Sequence, residues 1–207
     1  GGGTVRYVDS SVERLEVKAA NEQAKSQFTP EYLAFQKKYY DHPDWFVRDI
    51  IKWKPGQGPT EYQEEILSSL VTARRVCARG PHTLGKTALN SWAVLWFALT
   101  RDGEDWKVPT TASAWRQLDK FLWPEIHKWA RRLDWGKIGR APFDERNELL
   151  EMSLKLKTGE AFALASDKPE LIEGAHADHL LYVLDECKAI VYAFWNAIEG
   201  AFAGEVE

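Results

Sequence analysis

The sequence predicts a three-layer α/β fold with a mainly parallel sheet, preceded by a helical N-terminal arm. Three observations predict it. Short apolar runs that read as strands alternate with longer segments of helical period. One of the helical segments, residues 86–100, is apolar on nearly all sides and needs cover on several faces, as between a sheet and further helices. A glycine-rich turn stands between the first short strand and that helix.

Each element follows in chain order. Residues 10–38 are rich in Glu, Lys, Gln and Ala, which favour helix, and Phe28-Thr29-Pro30-Glu31 interrupts them and starts a second helix. This region, 1–55, is expected to be an arm rather than core. Aromatic and aliphatic residues thicken from Asp44 to Lys54, and Pro55-Gly56-Gln57-Gly58-Pro59 breaks the chain, so the main domain is placed at 56–207. Thr60 is a good N-cap for a helix from Glu61 to Ala73. Arg75 to Arg79 is the strand before the glycine-rich turn, and Trp106 to Thr111 is a second strand. A helix starting at Ser113 aligns Trp115, Leu118, Leu122, Ile126, Trp129 and Leu133 in one buried stripe, with a kink at Pro124. Leu150, Met152, Leu154 and Leu156 alternate with polar neighbours as in a half-exposed strand. Thr158-Gly159 turns this strand into Ala161 to Ala165, an antiparallel hairpin at the sheet margin. Leu180 to Leu184 is a buried strand, and helix resumes from Ala189 to Ala203.

A chain of 207 residues with 44% hydrophobic and 28% charged residues suits one main domain with its own core. Ten tryptophans exceed the usual share, and most are expected in the core, since Trp92 and Trp96 stand one helical turn apart. A net charge of −4 argues against a broad basic field that coats nucleic acid, so any DNA contact is local. The basic group Lys128, Arg131, Arg132, Lys137 and Arg140 has two readings: a contact for DNA or a neighbouring subunit, or a solvated helix face. Two cysteines, Cys77 and Cys187, are too few for a disulfide framework. Without a signal peptide or long apolar span, the expected compartment is cytoplasm, with no membrane partner. Gly1-Gly2-Gly3 without an initiator Met, and the uncapped end after Phe202, read as cuts in a longer polypeptide.

Gly80-Pro81-His82-Thr83-Leu84-Gly85-Lys86-Thr87 matches the phosphate-binding loop pattern GxxxxGKT in full. The spacing has a chemical reason. Backbone N–H groups of such a loop hold phosphate oxygens, Gly85 permits close approach, and the following helix aims the positive end of its dipole at the anion. Lys86 adds charge at the β and γ phosphates, and the Thr87 hydroxyl ligates Mg2+.

About a hundred residues on, the apolar run Leu180 to Leu184 delivers Asp185-Glu186 to a strand end. Carboxylates leaving a buried strand need a cation, a donor or water, and a magnesium nucleotide supplies the cation. Asp185 is then the Mg2+ ligand, directly or through water, and catalytic Glu186 polarises the attacking water. No NKxD sequence for guanine occurs, whereas a strand ending in Asp-Glu looks like that of the ATPase class with an additional catalytic glutamate, so ATP is the expected nucleotide. That resemblance implies a RecA-like P-loop NTPase fold. Gln63, seventeen residues before the loop, resembles the adenine-reading glutamine of motor ATPases, because its amide both donates and accepts; the alternative is a plain surface residue.

Arg79 to Ala88, the later Glu173-Gly174-Ala175-His176-Ala177-Asp178-His179, the Asp185-Glu186 strand and Phe194-Trp195-Asn196-Ala197-Ile198-Glu199-Gly200 together resemble bacteriophage terminase large subunits over roughly residues 55–205. The resemblance implies an ATPase domain that translocates double-stranded DNA into a procapsid in the host cell cytoplasm. It implies a portal and a small terminase subunit as partners, a ring of copies when docked, and a C-terminal nuclease domain. It also adds Arg79 and Ala88 to the ATP-binding set. Three departures stand out. His82 occupies a position where many terminases carry Arg; Cys187 stands where Ala is common; and the chain stops before the Ser/Thr-rich coupling motif and the nuclease carboxylates. Two alternatives stay open. Asp185-Glu186-Cys187-Lys188 and Pro109-Thr110-Thr111 also resemble motifs of superfamily 2 helicases, the second a DNA-contacting one, and a non-catalytic nucleotide sensor would need Glu186 far from the nucleotide.

Overall fold

A computed structural model describes residues 10–73, 75–79, 85–165, 177–186 and 189–196. In chain order these form α1 (Ser10–Ser26), α2 (Pro30–Tyr39), α3 (Pro43–Ile50), α4 (Glu61–Thr72), β1 (Arg75–Arg79), α5 (Lys86–Arg101) and β2 (Trp106–Ala112). A π-helical turn (Gln117–Leu122) leads into α6 (Trp123–Arg131) and α7 (Trp135–Ile138). The strands β3 (Leu149–Leu150), β4 (Ser153–Lys155), β5 (Gly159–Ala163), β6 (His179–Glu186) and β7 (Ala189–Asn196) complete the sheet.

The architecture is α/β, with one seven-stranded sheet in the order β1-β7-β6-β2-β5-β4-β3. The sheet is mixed, not mainly parallel. β2 pairs in parallel with β5 and β6, whereas β1–β7, β6–β7, β4–β5 and β3–β4 are antiparallel. The main cause is β7, where a helix from Ala189 to Ala203 is expected. Ile190, Val191, Tyr192, Phe194 and Trp195 are β-branched or aromatic residues that favour strands, and the segment pairs along its whole length with β6. Residues 197–203 of that expected helix lie outside the described residues. The expected marginal hairpin is present, with Leu154 opposite Ala161. Its first strand is shorter than the alternation suggests, because a turn at Glu151-Met152 folds β3 back on β4 and leaves Leu150 exposed.

Helix α5 is the hub of the core. Every residue from Leu89 to Arg101 is buried, which an amphipathic helix would not allow. One side packs on β2, β5 and β6, and α2, α3 and α6 cover it from outside. Part of that outer cover comes from the N-terminal region. Tyr32, Phe35 and Tyr39 of α2 and Phe46, Val47 and Ile50 of α3 are buried in the same cluster as Trp92 and Trp96, so only α1 has the exposed character expected of an arm. The last carbonyls of a helix have no intrahelical partner, and α2 supplies donors for them. The Tyr32 hydroxyl donates to Leu99 O at 2.7 Å, and Gln36 Nε2 donates to Leu99 O at 3.0 Å and Asp102 O at 2.7 Å. In return, Trp96 Nε1 donates to Tyr39 O at 2.7 Å.

Trp92, Trp96, Trp106, Trp123 and Trp129 are buried, in line with a core role. Trp115, at the very start of the helical stretch, is half exposed. The rest of the expected stripe, Leu118 to Leu133, is buried. Pro124 lacks an N–H and crowds the turn before it; the chain widens into the π turn there, and Pro124 then opens α6. No helix among the described residues is long and apolar enough to cross a membrane.

Candidate active site

β1 and β6 are both antiparallel to β7, so they run in the same direction and end at the same sheet edge. Their last residues are level. Arg79 and Glu186 both pair with Ala189, one from each side, which sets their backbones about 10 Å apart across two strand spacings. β2 ends at the same edge, with Ala112 opposite Asp185. In open α/β sheets ligands sit outside the carboxyl ends of the strands, and it is at this edge that β1 ends before α5.

The beginning of α5 is built for close approach. Gly85 stands just before the helix in the left-handed region, φ +65°, where L side chains are strained. A side chain would also collide with Gln63, whose Nε2 lies 2.7 Å from the position of an added β-carbon. Lys86 is buried at 6% exposure as the first residue of α5, Thr87 and Ala88 are half-buried, and the Thr87 carbonyl accepts from Ser91 Oγ at 2.8 Å. Gly80, Pro81, His82, Thr83 and Leu84 lie outside the described residues.

Gln63 is beside the loop, as expected, but its amide has another occupation. Oε1 accepts from Thr60 N at 2.9 Å, while Thr60 Oγ1 accepts from Gln63 N at 3.2 Å, a reciprocal capping box that starts α4. Nε2 donates to Gly85 O at 3.4 Å. With the residue 6% exposed, both ends of the amide serve the protein, and it joins the start of α4 to the glycine before α5.

Asp185 is 4% exposed at the end of β6. Gln117 Nε2, from the first residue of the π turn, donates to Asp185 Oδ2 at 3.2 Å. No motif marks Gln117. It lies between apolar stripe positions, and only the pairing of β2 with β6 brings it to a carboxylate 68 residues away. Glu186 closes β6 by its backbone pairing, and Cys187 and Lys188 lie outside the described residues.

Several other expected contacts have internal partners. Thr110 Oγ1 donates to Phe162 O at 2.9 Å and accepts from Trp123 Nε1 at 3.2 Å; Thr111 Oγ1 meets the Tyr182 hydroxyl at 3.3 Å. Both threonines are almost fully buried, so they form no DNA-contacting surface of a helicase kind. The basic group is largely a paired surface. Lys128 meets Glu125, Arg131 meets Glu145, Lys137 Nζ donates to Asp49 O, and Arg140 binds both carboxylate oxygens of Glu148. Arg132 lies over Trp129 and Trp53. Of the segment 173–179, residues 173–176 lie outside the described residues and His179 opens β6, at the end of the strand opposite Asp185. There His179 Nε2 meets Glu104 Oε2 at 2.8 Å.

A buried lysine and a half-buried threonine at the helix start, with a buried carboxylate at the same sheet edge, are the groups a magnesium–phosphate ligand takes. Mg2+ favours a few protein oxygens with phosphate and water completing its octahedron, and one hydroxyl and one carboxylate fit that habit. No family model matches the chain, and no curated protein matches it.

Proposed function

We propose that this chain is a magnesium-dependent ATPase of the three-layer P-loop kind, working as the motor domain of a terminase large subunit. The observation that carries the reading is the level ending of β1 and β6 at one edge, with Arg79 and Glu186 flanking Ala189. That registry brings the end of β1, from which the chain continues to α5, and the Asp185-Glu186 end of β6 to one sheet edge, which supports a triphosphate site there. Lys86 and the loop amides bind the phosphates, and the α5 N-terminus adds its dipole. Thr87 and Asp185 would hold Mg2+, which would supply positive charge to the phosphates. Glu186 orients and deprotonates the attacking water. The resemblance extends the reading to translocation of double-stranded DNA into a procapsid, with a portal, a small terminase subunit and further copies of the chain as partners.

The test is hydrolysis of ATP by the purified chain with and without Mg2+, beside Lys86→Ala. Magnesium-dependent turnover that the substitution abolishes, together with loss of ATP binding, supports the reading. Unchanged binding and turnover in Lys86→Ala would sink it.

A further inference from the structure

We propose that Gln117 is a positioning residue for the metal-binding carboxylate of Asp185; this rests on the magnesium–ATP reading above. Asp185 is almost fully buried, and a buried carboxylate needs donors to hold it in one orientation. Gln117 supplies one through Nε2 at 3.2 Å. The chemistry of the donor matters. A lysine or arginine there would compete with a cation for the carboxylate, whereas a neutral amide fixes an oxygen and leaves the full negative charge in place.

The amide is itself held from two directions. Ala112 pairs with Asp185 across the β2–β6 ladder, and only four residues separate Ala112 from Gln117, so strand pairing and side-chain bond anchor the same short segment. On the other side, Leu118 and Leu122 of the π turn are fully buried. Such turns are rare and occur often at functional sites. Gln117, the first residue of this one, is the residue that meets Asp185.

The experiment measures affinity for a fluorescent non-hydrolysable ATP analogue in Mg2+ and in EDTA, for the wild-type chain, Gln117→Ala and the near-isosteric Gln117→Met. Removing a group that orients a metal ligand costs about 10- to 100-fold in metal affinity. Binding in EDTA should be unchanged, while the Mg2+ concentration that gives half-maximal binding rises about tenfold or more in both variants. In hydrolysis assays saturating Mg2+ should restore most of the rate. In an Asp185→Asn background the Gln117 substitutions should add nothing, since the effect passes through that carboxylate. Thermal unfolding without nucleotide identifies a variant that has not folded, and Gln117→Met, which keeps the side-chain length, then decides. A Mg2+ dependence within twofold of wild type, or an equal effect in the Asp185→Asn background, overturns the role of Gln117 while the ATPase reading stands. A wild-type chain that binds no nucleotide even in Mg2+ overturns both.

Discussion

Gln63 stands where a side chain on Gly85 would have to go: its Nε2 is 2.7 Å from the position of an added β-carbon, and it also donates to the Gly85 carbonyl. Gly85→Ala therefore meets two obstacles, the collision and the left-handed backbone, the latter worth about 1–2 kcal/mol. Gln63→Ala removes the collision but also half of the capping box, at about 1 kcal/mol. Urea unfolding should show the double variant less destabilised than the sum of the two single ones. With its amide engaged at both ends, Gln63 should have no part in choosing the base. Gln63→Ala is expected to leave the ratio of ATP to GTP affinity unchanged, and a tenfold loss of that preference would restore an adenine-reading role.

Glu186→Gln separates catalysis from binding. If Glu186 is the general base, ATP and Mg2+ binding survive while turnover falls about a hundredfold or more. Asp185→Asn should do the reverse, weakening binding chiefly in Mg2+. Paired equilibrium titrations and single-turnover rates check both, and an inverted pattern would exchange the two roles.

Acid stability offers a test away from the site. Burial alone would raise the Glu104 carboxyl, but the hydrogen bond and charge of His179, the Tyr40 hydroxyl and Lys25 together hold it down at about 2. A carboxyl held below its ordinary 4.5 contributes stability that is whole above pH 4.5 and is lost as the pH falls towards 2. Glu104→Gln should therefore be less stable than wild type at neutral pH, and the gap should narrow below pH 4.5. Urea midpoints measured from pH 7 to 2.5 give the comparison; a constant gap would remove Glu104 from the account.

On the proposed ATPase reading, His82 stands where many terminases carry an arginine, a group worth about 10³ to 10⁵ in rate at the γ phosphate. Arg140 is tied to both Glu148 oxygens and Arg132 lies over two tryptophans, so Arg131 is the best placed of the three to reach a neighbouring subunit. Its pair with Glu145 has both side chains more than half exposed, which makes it a weak tie. Turnover per chain should rise with protein concentration, and Arg131→Ala should flatten the rise. A fast, concentration-independent rate from a monomer would show that one chain completes the site.

The legible parts of this fold are those written in local chemistry. Thr60 reads as the N-cap of a helix from Glu61, and the structure holds it there. The all-round apolar character of residues 89–101 announces a helix covered on both sides. Long-range pairing is another matter. Residues 189–203 read as a helix from local sequence, yet Ile190, Val191 and Tyr192 favour strand and the β6 ladder makes 189–196 one. Gln117 has no local signature, since its meaning depends on a carboxylate 68 residues away. Nor does the sequence before Pro55 reveal that Tyr32 and Gln36 finish a helix more than sixty residues downstream.

That last arrangement gives α5 the mechanics of a rod held in a socket. Sixteen residues make it about 24 Å long, with Lys86 at one tip and Leu99 to Arg101 gripped at the other by Tyr32, Gln36 and the Tyr40 carbonyl. A shift of α5 along its axis would have to break those hydrogen bonds, so the position of the Lys86 tip is tied to the N-terminal helices at the opposite end.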